Sequence, residues 1–516
     1  MLDLVLDNAS AKFPQNVALI FEDKTYSYAD LFGLTEKLAA GLRQRGVGPG
    51  DRIAFLLPNC LEVVLCYYAS FKIGAIAVPL NIRFQSDLLR HVIKHSGARV
   101  LVSEPELFGR IDSIRSSLPG VEHYYLTSGY SQFQEVRPFD ELLRDSSRQS
   151  YQHPSDENQP AAIYYTSGTT GLPKAVSHSH FSLSRATEIQ IEQIKISSDD
   201  KTLIMFPVCY LIGFGSQILP FHSSGATCIL LPFFEPRSAL ESIQTYQPTK
   251  TYGFPQLYNE LVNCPSANQY NVRSLNFCFS AGEAIAVAIQ ERFKRIFGVE
   301  ITEGCGMTEL QIYSMNPPYG QKKIGSIGKP IAGMHVSLID ESGQPDLRAG
   351  AIGEMIVRGG SMTPGYWHDP DLTARIIRDG WFHTGDLAYK DEQEFLWFVS
   401  RKSEIIRHRA GLISPIEVEG ALYQHPAVRE AGVVGVPDWH GYELPRAYVV
   451  LQKKSAGITG QELIEFTRAH LPEHKVPGSV IFTEDLPHGP TGKIDRRTLR
   501  ENAIGHAEQG PPQNAS

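Results

Sequence analysis

Strand-like and helix-like segments alternate along much of this chain, and that alternation limits its fold more than any other feature. Short apolar runs typical of buried strands occur at 52–57, 75–80 and 99–103, and segments with helical spacing of apolar residues separate them. The same alternation returns between 202 and 303. Because strands that alternate with helices form parallel βαβ units, the sequence predicts an α/β fold with doubly wound subdomains.

The domain organisation follows from length and from changes of pattern along the chain. A chain of 516 residues exceeds the size that one hydrophobic core supports. Segments at 353–359 and 365–367 predict β-hairpins in a β-rich subdomain, and the region 401–505 has the mixed pattern of a small α+β unit. We therefore expect a large domain at 1–400, a small domain at 401–505 and a disordered tail at 506–516.

A run of hydroxyl-bearing residues and glycines follows the strand-like segment 161–165. A strand that leads into a glycine-rich turn presents backbone N–H groups and hydroxyls to an anion, and a lysine adds a positive charge. The run therefore predicts a phosphate-binding loop, although a solvated polar turn is the alternative. It is not a Walker loop, since only two residues separate its glycines and Ala175 follows its lysine. The residues are Thr166, Ser167, Gly168, Thr169, Thr170, Gly171 and Lys174.

Composition and the N-terminal segment exclude several classes of function. The net charge is −8 and no basic run occurs, which argues against nucleic acid as a partner. The seven cysteines are scattered without a Cys-x-x-Cys pair, as expected of reduced thiols in a cytoplasmic protein. Acidic residues at 1–7 disfavour a signal peptide, and polar residues interrupt the apolar segment 63–80. We therefore expect a cytoplasmic protein without a membrane span.

The ends of the predicted strands indicate where a ligand would bind. In a doubly wound sheet, ligands lie beyond the carboxyl ends of the strands, here near 165, 206, 254, 280 and 303. Glu309 follows the last of these ends and suits a magnesium ion, because a carboxylate near a triphosphate needs a cation between them. The alternative is that Glu309 only opens a helix, where an acidic residue is favoured.

Five motifs occur in a fixed order along the chain, at 165–174, 304–309, 381–386, 400–406 and 490–496. Together they resemble the motifs of the adenylate-forming superfamily, which includes acyl-CoA synthetases, aryl-CoA ligases, luciferases and the adenylation domains of peptide synthetases. The resemblance covers essentially the whole chain before the tail. It implies ATP-dependent activation of a carboxylic acid to an acyl-adenylate with release of pyrophosphate, then transfer to coenzyme A, with magnesium as the metal.

The resemblance also implies roles for individual residues. Lys493 matches the catalytic lysine, carried on a mobile C-terminal domain that turns about a hinge at Ser403. Thr308 and Glu309 match the residues that contact the nucleotide phosphate and magnesium, and Asp386 with Arg401 would hold the ribose. Further nucleotide contacts are implied for Gly282, Glu283, Ala284, Gly304, Cys305 and Gly306.

The acid and its acceptor are less well defined. By resemblance, the acid pocket is lined by Tyr210, Gly213, Phe254 and Gly304. No aspartate marks an amine site, so an apolar or aromatic monocarboxylate is favoured. The segment at Ala410 and Gly411 would lie against the pantetheine arm of the acceptor, with Ala410 where the family usually has glycine. Transfer to a carrier-protein phosphopantetheine or to an amine stays open, as do a nucleotide-binding protein without turnover and, more remotely, a light-emitting oxidase.

Overall fold

The computed structural model describes residues 1–144, 156–166, 172–345, 348–452, 457–489 and 493–508, without the side chains of 505–508. Within these ranges the chain has a mixed α/β structure with large sheets in its N-terminal part and smaller sheets after residue 401. The predicted fold class is therefore confirmed. None of the helices in the described ranges is both long and apolar enough to cross a membrane.

One sheet has eight described strands and contains both ends of the hydroxyl-rich run, Thr166 and Lys174. Its central strands are parallel and buried on both faces, as expected where helices cover both sides. Two antiparallel strands complete one edge. In spatial order the strands are Gly365–Tyr366, Lys174–Ser179, Pro160–Thr166, Ile76–Pro79, Arg52–Leu56, Val100–Ser103, His123–Leu126 and Arg137–Pro138.

A second sheet has nine strands in the described ranges and is also parallel at its centre. Its antiparallel edge strands include two that are joined by the turn holding Glu309, the predicted magnesium ligand. In spatial order the strands are Lys329–Pro330, Gln311–Met315, Ile301–Met307, Phe277–Ser280, Lys250–Gly253, Lys201–Ile204, Thr227–Leu230, Val17–Phe21 and Lys24–Ser27.

Helices cover the two large sheets and bury their apolar faces in shared hydrophobic cores. The helix His180–Ile194 begins with a reciprocal cap between Ser179 and Ser182, which fixes its start directly after the strand Lys174–Ser179. The other α-helices of this part are Val5–Lys12, Tyr28–Gln44, Leu61–Lys72, Ser86–Ser96, Pro105–Asp112, Asp140–Arg144, Leu211–Gly213, Leu219–Ser223, Pro236–Tyr246, Pro255–Asn263, Val287–Phe297 and Pro370–Ile376. A π-helical turn, Phe214–Ile218, joins two of them.

A smaller antiparallel sheet corresponds to the β-rich region. Its strands are Met334–Ile339, Gly353–Gly359, Trp381–Lys390, Ile377–Arg378 and Leu396–Arg401. The prediction that 365–367 forms a hairpin here is wrong. Gly365–Tyr366 instead pairs with Lys174–Ser179 of the eight-stranded sheet, because the chain leaves the small sheet after residue 359.

The region after residue 401 has its own apolar cores. Its described strands are Ile406–His408, Gly411–Ile413, Val428–Pro437, Glu443–Leu451 and Ser479–Phe482, and its helices are Pro415–Tyr423, Gly460–Arg468 and Arg496–Glu508. The last helix extends into the predicted tail, and residues 509–516 lie outside the described residues. The boundary at 401 stays a prediction.

Candidate active site

A β-hairpin holds the two ends of the predicted phosphate loop. The strands Pro160–Thr166 and Lys174–Ser179 are antiparallel, with Thr166 opposite Lys174. Ser167, Gly168, Thr169, Thr170 and Gly171 lie outside the described residues. The hairpin therefore supplies the ends of the loop at the edge where the parallel strands finish.

Thr308 and Glu309 lie in a tight turn at 308–310 that joins the strands Ile301–Met307 and Gln311–Met315. The first strand runs through Gly304, Cys305 and Gly306, although the sequence pattern ended it at 303. A Cβ on Gly304 would lie 2.6 Å from the carbonyl oxygen of Ser314, so the two strands approach too closely for a side chain there. The alternative that Glu309 opens a helix is wrong, because the chain turns back into a strand.

Four neighbouring residues contact this turn, which we name the 308–310 turn, and one of them, Ser361, donates its hydroxyl to the carbonyl of Leu310 at 2.8 Å. The backbone carbonyl of Thr308 lies 2.7 Å from Nε2 of His178. The backbone N–H of Thr363 donates to the carbonyl of Glu309 at 2.7 Å. The hydroxyl of Tyr366 donates to Oε1 of Glu309 at 2.8 Å, and the glutamate side chain is buried. Burial also lowers the pKa of His178 to about 4, so its imidazole is neutral.

Asp386 and Arg401 face each other on the paired strands Trp381–Lys390 and Leu396–Arg401. Asp386 therefore lies within a strand, although the Gly-Asp sequence at 385–386 is typical of a turn, and the positive φ of +71° is at Gly385. Nε of Arg401 lies 2.9 Å from Oδ1 of Asp386, yet no described group donates an aligned hydrogen bond to this buried oxygen. Burial raises the pKa of Asp386 to about 6, while Arg401 and Lys493 oppose the rise.

Lys493 reaches from the C-terminal region to the large sheets. Its Nζ donates to the carbonyl of Gly282 at 2.7 Å, and burial lowers its pKa while the nearby Glu283 opposes the shift. Gly282 has a φ of +96°, and a Cβ there would lie 2.8 Å from the ring of Phe254. Pro490, Thr491 and Gly492 lie outside the described residues.

The structure thus brings together residues that are far apart in sequence. The charges of Glu283, Asp386 and Arg401 all act on the Lys493 ammonium, as does the thiol of Cys305. Burial raises the pKa of that thiol to about 12, and the hydroxyl of Tyr313 donates to its sulfur at 3.0 Å. Cys305 is therefore a neutral wall residue and not a thiolate nucleophile.

The residues predicted to line the acid pocket occupy two places. Phe254 packs edge-on against Phe206 beside the Gly282 carbonyl, with ring centroids 4.4 Å apart. Tyr210 and Gly213 lie around the short helix Leu211–Gly213, where the hydroxyl of Tyr210 accepts a hydrogen bond from Asn81. Ala284, two residues after Gly282, is partly exposed.

The predicted hinge and acceptor segment lie on the surface of the C-terminal region. Ser403 is exposed in the turn that follows the strand Leu396–Arg401. Gly411, with a φ of +132°, begins the second strand of the hairpin Ile406–His408 and Gly411–Ile413. Rotation about Ser403 stays a prediction.

The donor set fits a magnesium ion that is held partly by substrate. Among the described residues, no group of three His, Cys, Asp or Glu side chains converges to hold a metal. Magnesium commonly binds nucleotides through one or two carboxylates together with phosphate oxygens. A single buried Glu309 beside the phosphate hairpin is compatible with that pattern.

Sequence reasoning missed two residues of the site, His178 and Tyr366. Tyr366 belongs to a segment for which the sequence predicts only a β-hairpin, yet its hydroxyl contacts Glu309. His178 lies at an inward-facing, fully buried position of the strand Lys174–Ser179. A polar residue at such a position was the available signal, since buried polar groups require partners.

Comparison with known proteins agrees with this arrangement. Residues 6–367 match the family model described as AMP-binding enzyme, and residues 417–493 match the AMP-binding enzyme C-terminal domain. The chain belongs to the AMP-binding enzyme family. The first match includes Thr308 and Glu309 and the second ends at Lys493, while Asp386 and Arg401 lie between the two matched regions of this AMP-binding enzyme.

Individual relatives cover nearly the whole length of the chain. A long-chain-fatty-acid–CoA ligase of Bacillus subtilis (strain 168) is 32% identical over 97% of this chain and 94% of its own. A feruloyl-CoA synthase of an Amycolatopsis species is 31% identical over 94% of this chain and 96% of its own. The anthranilate CoA ligase AuaEII, solved with anthranoyl-AMP, has a TM-score of 0.93 at 28% identity and 98% coverage of both chains.

Proposed function

We propose that this AMP-binding enzyme uses ATP to convert a carboxylic acid to an acyl-adenylate and then transfers the acyl group to coenzyme A. The observation that carries the proposal is the position of Lys493, whose ammonium reaches Gly282 beside the pair of Asp386 and Arg401. The relatives described above are acid–CoA ligases, which supports the same two steps here.

The first step joins two anions, so positive charge and oriented donors must supply most of the catalysis. An oxygen of the substrate carboxylate attacks the α-phosphorus of ATP, and the bond to the leaving pyrophosphate breaks. In this proposal Thr308 donates to the α-phosphate, and Lys493 stabilises the oxygen that comes to bridge acyl group and phosphate. The leaving phosphates are held by Thr166, Ser167, Gly168, Thr169, Thr170, Gly171 and Lys174.

The remaining polar residues would hold the metal and the nucleoside. Glu309, together with phosphate oxygens, would hold magnesium, which supplies neutralisation of the phosphate charge. Asp386 would accept hydrogen bonds from the ribose hydroxyls, assisted by Arg401. The geometry of Asp386 supports this role, because its buried Oδ1 is ion-paired with Arg401 but receives no aligned hydrogen bond from a described group, which leaves the carboxylate able to accept from ribose hydroxyls. The adenine would lie between Gly282, Glu283 and Ala284 on one side and Gly304, Cys305 and Gly306 on the other.

In the second step the thiol of coenzyme A attacks the acyl carbonyl and AMP leaves. We propose that the small domain, 401–505, turns about Ser403 relative to the large domain, 1–400. This rotation would withdraw Lys493 and present the loop at Gly411 to the pantetheine arm. Exposure of Ser403 in a turn is compatible with a hinge.

The acid is proposed to be an apolar or aromatic monocarboxylate. Its pocket would be lined by Tyr210, Gly213, Phe254 and Gly304. The names of the relatives specify a long-chain fatty acid, a feruloyl product and anthranilate, which supports this class of acid. A cytoplasmic location is also proposed, on the cysteine pattern of the sequence.

The test is acid-dependent exchange of labelled pyrophosphate into ATP, measured with magnesium over fatty acids of increasing length and over benzoic and cinnamic acids. We expect exchange with at least one class, followed by thioester formation when coenzyme A is added. Carrier proteins with their phosphopantetheine arm and free amines serve as alternative acceptors. Absence of exchange with every acid, with ATP still bound, would favour a nucleotide-binding protein without turnover.

A further inference from the structure

Thr308 and Glu309 of the 308–310 turn are held by three residues, which we name the clamp: His178 and Tyr366, which lie on strands of the neighbouring sheet, and Thr363, which lies just before the strand Gly365–Tyr366. Each member contributes one hydrogen bond to the turn. His178 and Thr363 bind the backbone carbonyls of Thr308 and Glu309, and Tyr366 binds the Glu309 carboxylate. The clamp therefore fixes both the backbone of the turn and its charged side chain.

The hydrogen bonds of His178 define its tautomer. A carbonyl oxygen only accepts, so Nε2 must carry the hydrogen that points to Thr308. Nδ1 then has a free lone pair, and it lies 3.0 Å from Oγ of Ser182, which can donate to it. The contact between Nδ1 and Ser182 of the helix His180–Ile194 orients the ring, and the single N–H at Nε2 points to the turn.

Tyr366 and Thr363 are tied to the same strand as His178. Tyr366 pairs with Val176 across the sheet. The hydroxyl of Thr363 donates to the carbonyl of Ser177. The Tyr366 hydroxyl binds Oε1 of Glu309 and so orients the carboxylate, while no other described residue donates a hydrogen bond to it.

We propose that His178 and Tyr366 are positioning residues that set Thr308 and Glu309 at a fixed distance from Lys174. Lys174 and His178 belong to the strand Lys174–Ser179, and Tyr366 belongs to the strand paired with it. The phosphate-binding lysine and the predicted magnesium ligand are thereby linked through one rigid unit. The inference rests on the proposed function, since Thr308, Glu309 and Lys174 have their roles only there.

The expected magnitude follows from comparable sites. Groups that orient a metal ligand without touching the metal typically change affinity or activity by about 10- to 100-fold when they are removed. Reacting groups must also be held within about 0.5 Å of productive geometry. Loss of a clamp hydrogen bond should therefore affect catalysis and magnesium dependence more than folding.

The first experiment compares His178→Gln with His178→Asn. The amide nitrogen of glutamine occupies the position of Nε2, whereas that of asparagine occupies the position of Nδ1. We expect His178→Gln to keep most of the rate of pyrophosphate exchange and His178→Asn to lose about tenfold in kcat. Equal rates in both variants, whether high or low, would overturn the role of His178.

The second experiment uses Tyr366→Phe with Tyr319→Phe as its control. The hydroxyl of Tyr319 donates to the backbone carbonyl of Ile194, so Tyr319→Phe also removes one hydroxyl that donates a hydrogen bond, but it does not touch Glu309. We expect the magnesium concentration for half-maximal exchange to rise about tenfold in Tyr366→Phe and to stay unchanged in the control. An unchanged magnesium requirement in Tyr366→Phe would overturn the role of Tyr366.

A binding measurement separates this inference from the proposed function. The shift of the melting midpoint on addition of ATP is measured for each variant across a magnesium titration, without any acid present. We expect the magnesium midpoint of that shift to move in Tyr366→Phe and in His178→Asn. If the wild-type protein fails to exchange pyrophosphate but still binds magnesium and ATP, the proposed function fails while this comparison still tests the clamp.

Discussion

The two regions that meet at the candidate active site are attached in different ways. The 308–310 turn makes four hydrogen bonds with buried residues on or beside an adjoining sheet. Among the described residues, the ammonium of Lys493 has one hydrogen-bond acceptor, the carbonyl of Gly282. One region is therefore part of a packed core, and the other is a side chain that crosses between two parts of the chain.

This difference matches what two successive reactions would require. Phosphate-binding groups act best when they are fixed before the substrate arrives. A lysine needed in only one step must instead be able to leave, and a typical hydrogen bond contributes only about 0.5–1.5 kcal/mol net. Burial lowers the pKa of Lys493, which further reduces the preference of the charged group for this position. We infer that the clamp side of the site is permanent and the lysine side is detachable.

Lys493→Ala breaks this comparison most directly. We expect adenylate formation to fall by about a hundredfold or more, because a positive charge is lost from a site where charge develops. Thioester formation from a supplied acyl-adenylate should be unaffected. The two half-reactions are measured separately, by pyrophosphate exchange and by thioester production.

Lys294→Ala is the matched control for Lys493→Ala. Lys294 is an exposed lysine paired with Glu300, far from Lys493 in sequence. It should leave both half-reactions unchanged. If Lys493→Ala slows both half-reactions equally, the detachable-lysine account is wrong.

Asp386 lies where the two regions meet, since the charges of both Arg401 and Lys493 oppose the rise of its pKa. Asp386→Ala should raise the KM for ATP by about tenfold or more, because hydrogen bonds to a charged group contribute about 1.5–3 kcal/mol. The pKa of Asp386 is raised to about 6, so its carboxylate is lost as the pH falls through that value. Affinity for ATP should therefore decrease below pH 6 in the wild-type protein.

Asp386→Asn provides the control for the pH effect. Asparagine keeps the shape of the side chain but does not titrate, so the decrease in ATP affinity near pH 6 should disappear. Isothermal titration with ATP and magnesium between pH 5 and pH 8 measures both variants. A wild-type affinity that does not change across this range would remove Asp386 from the ribose role.

Much of the fold could be predicted because periodicity reports burial directly. The strand predicted at 52–57 is Arg52–Leu56, and the strand predicted at 75–80 is Ile76–Pro79. The prediction failed where it required the pairing of strands that are distant in sequence. Gly365–Tyr366 joins a strand almost two hundred residues earlier, and no local pattern specifies such a partner.

The site shows the same limit at the level of side chains. Motifs identified Lys493, Glu309 and Asp386, and the structure brings Lys493 and Asp386 near each other. Motifs did not identify His178, because its role depends on a carbonyl 130 residues away. A motif selects groups that contact substrate, whereas the groups that orient them are recognisable only from tertiary contacts.

The smallest expected effect concerns the loop on which Lys493 docks. Glu303 lies fully buried beneath this loop, with Oε1 accepting from the N–H of Ile285 and Oε2 from the amide of Gln290. Burial raises the pKa of Glu303 from 4.5 to about 8. The folded state therefore binds this proton more tightly than the unfolded state, and the resulting stability is present below pH 4.5 and lost as the pH rises through 8.

Glu303→Gln should remove that dependence, because glutamine resembles the protonated acid and never ionises. We expect melting midpoints close to those of the wild-type protein at pH 5 and higher by a few degrees at pH 9, where the buried charge costs on the order of a few kcal/mol. Glu300→Gln is the control, since the hydrogen bond from Lys294 lowers the pKa of Glu300 instead of raising it. If the melting midpoints of Glu303→Gln and wild type change with pH in parallel, Glu303 is ionised throughout this range. The side chain beneath the docking loop would then be charged and not neutral.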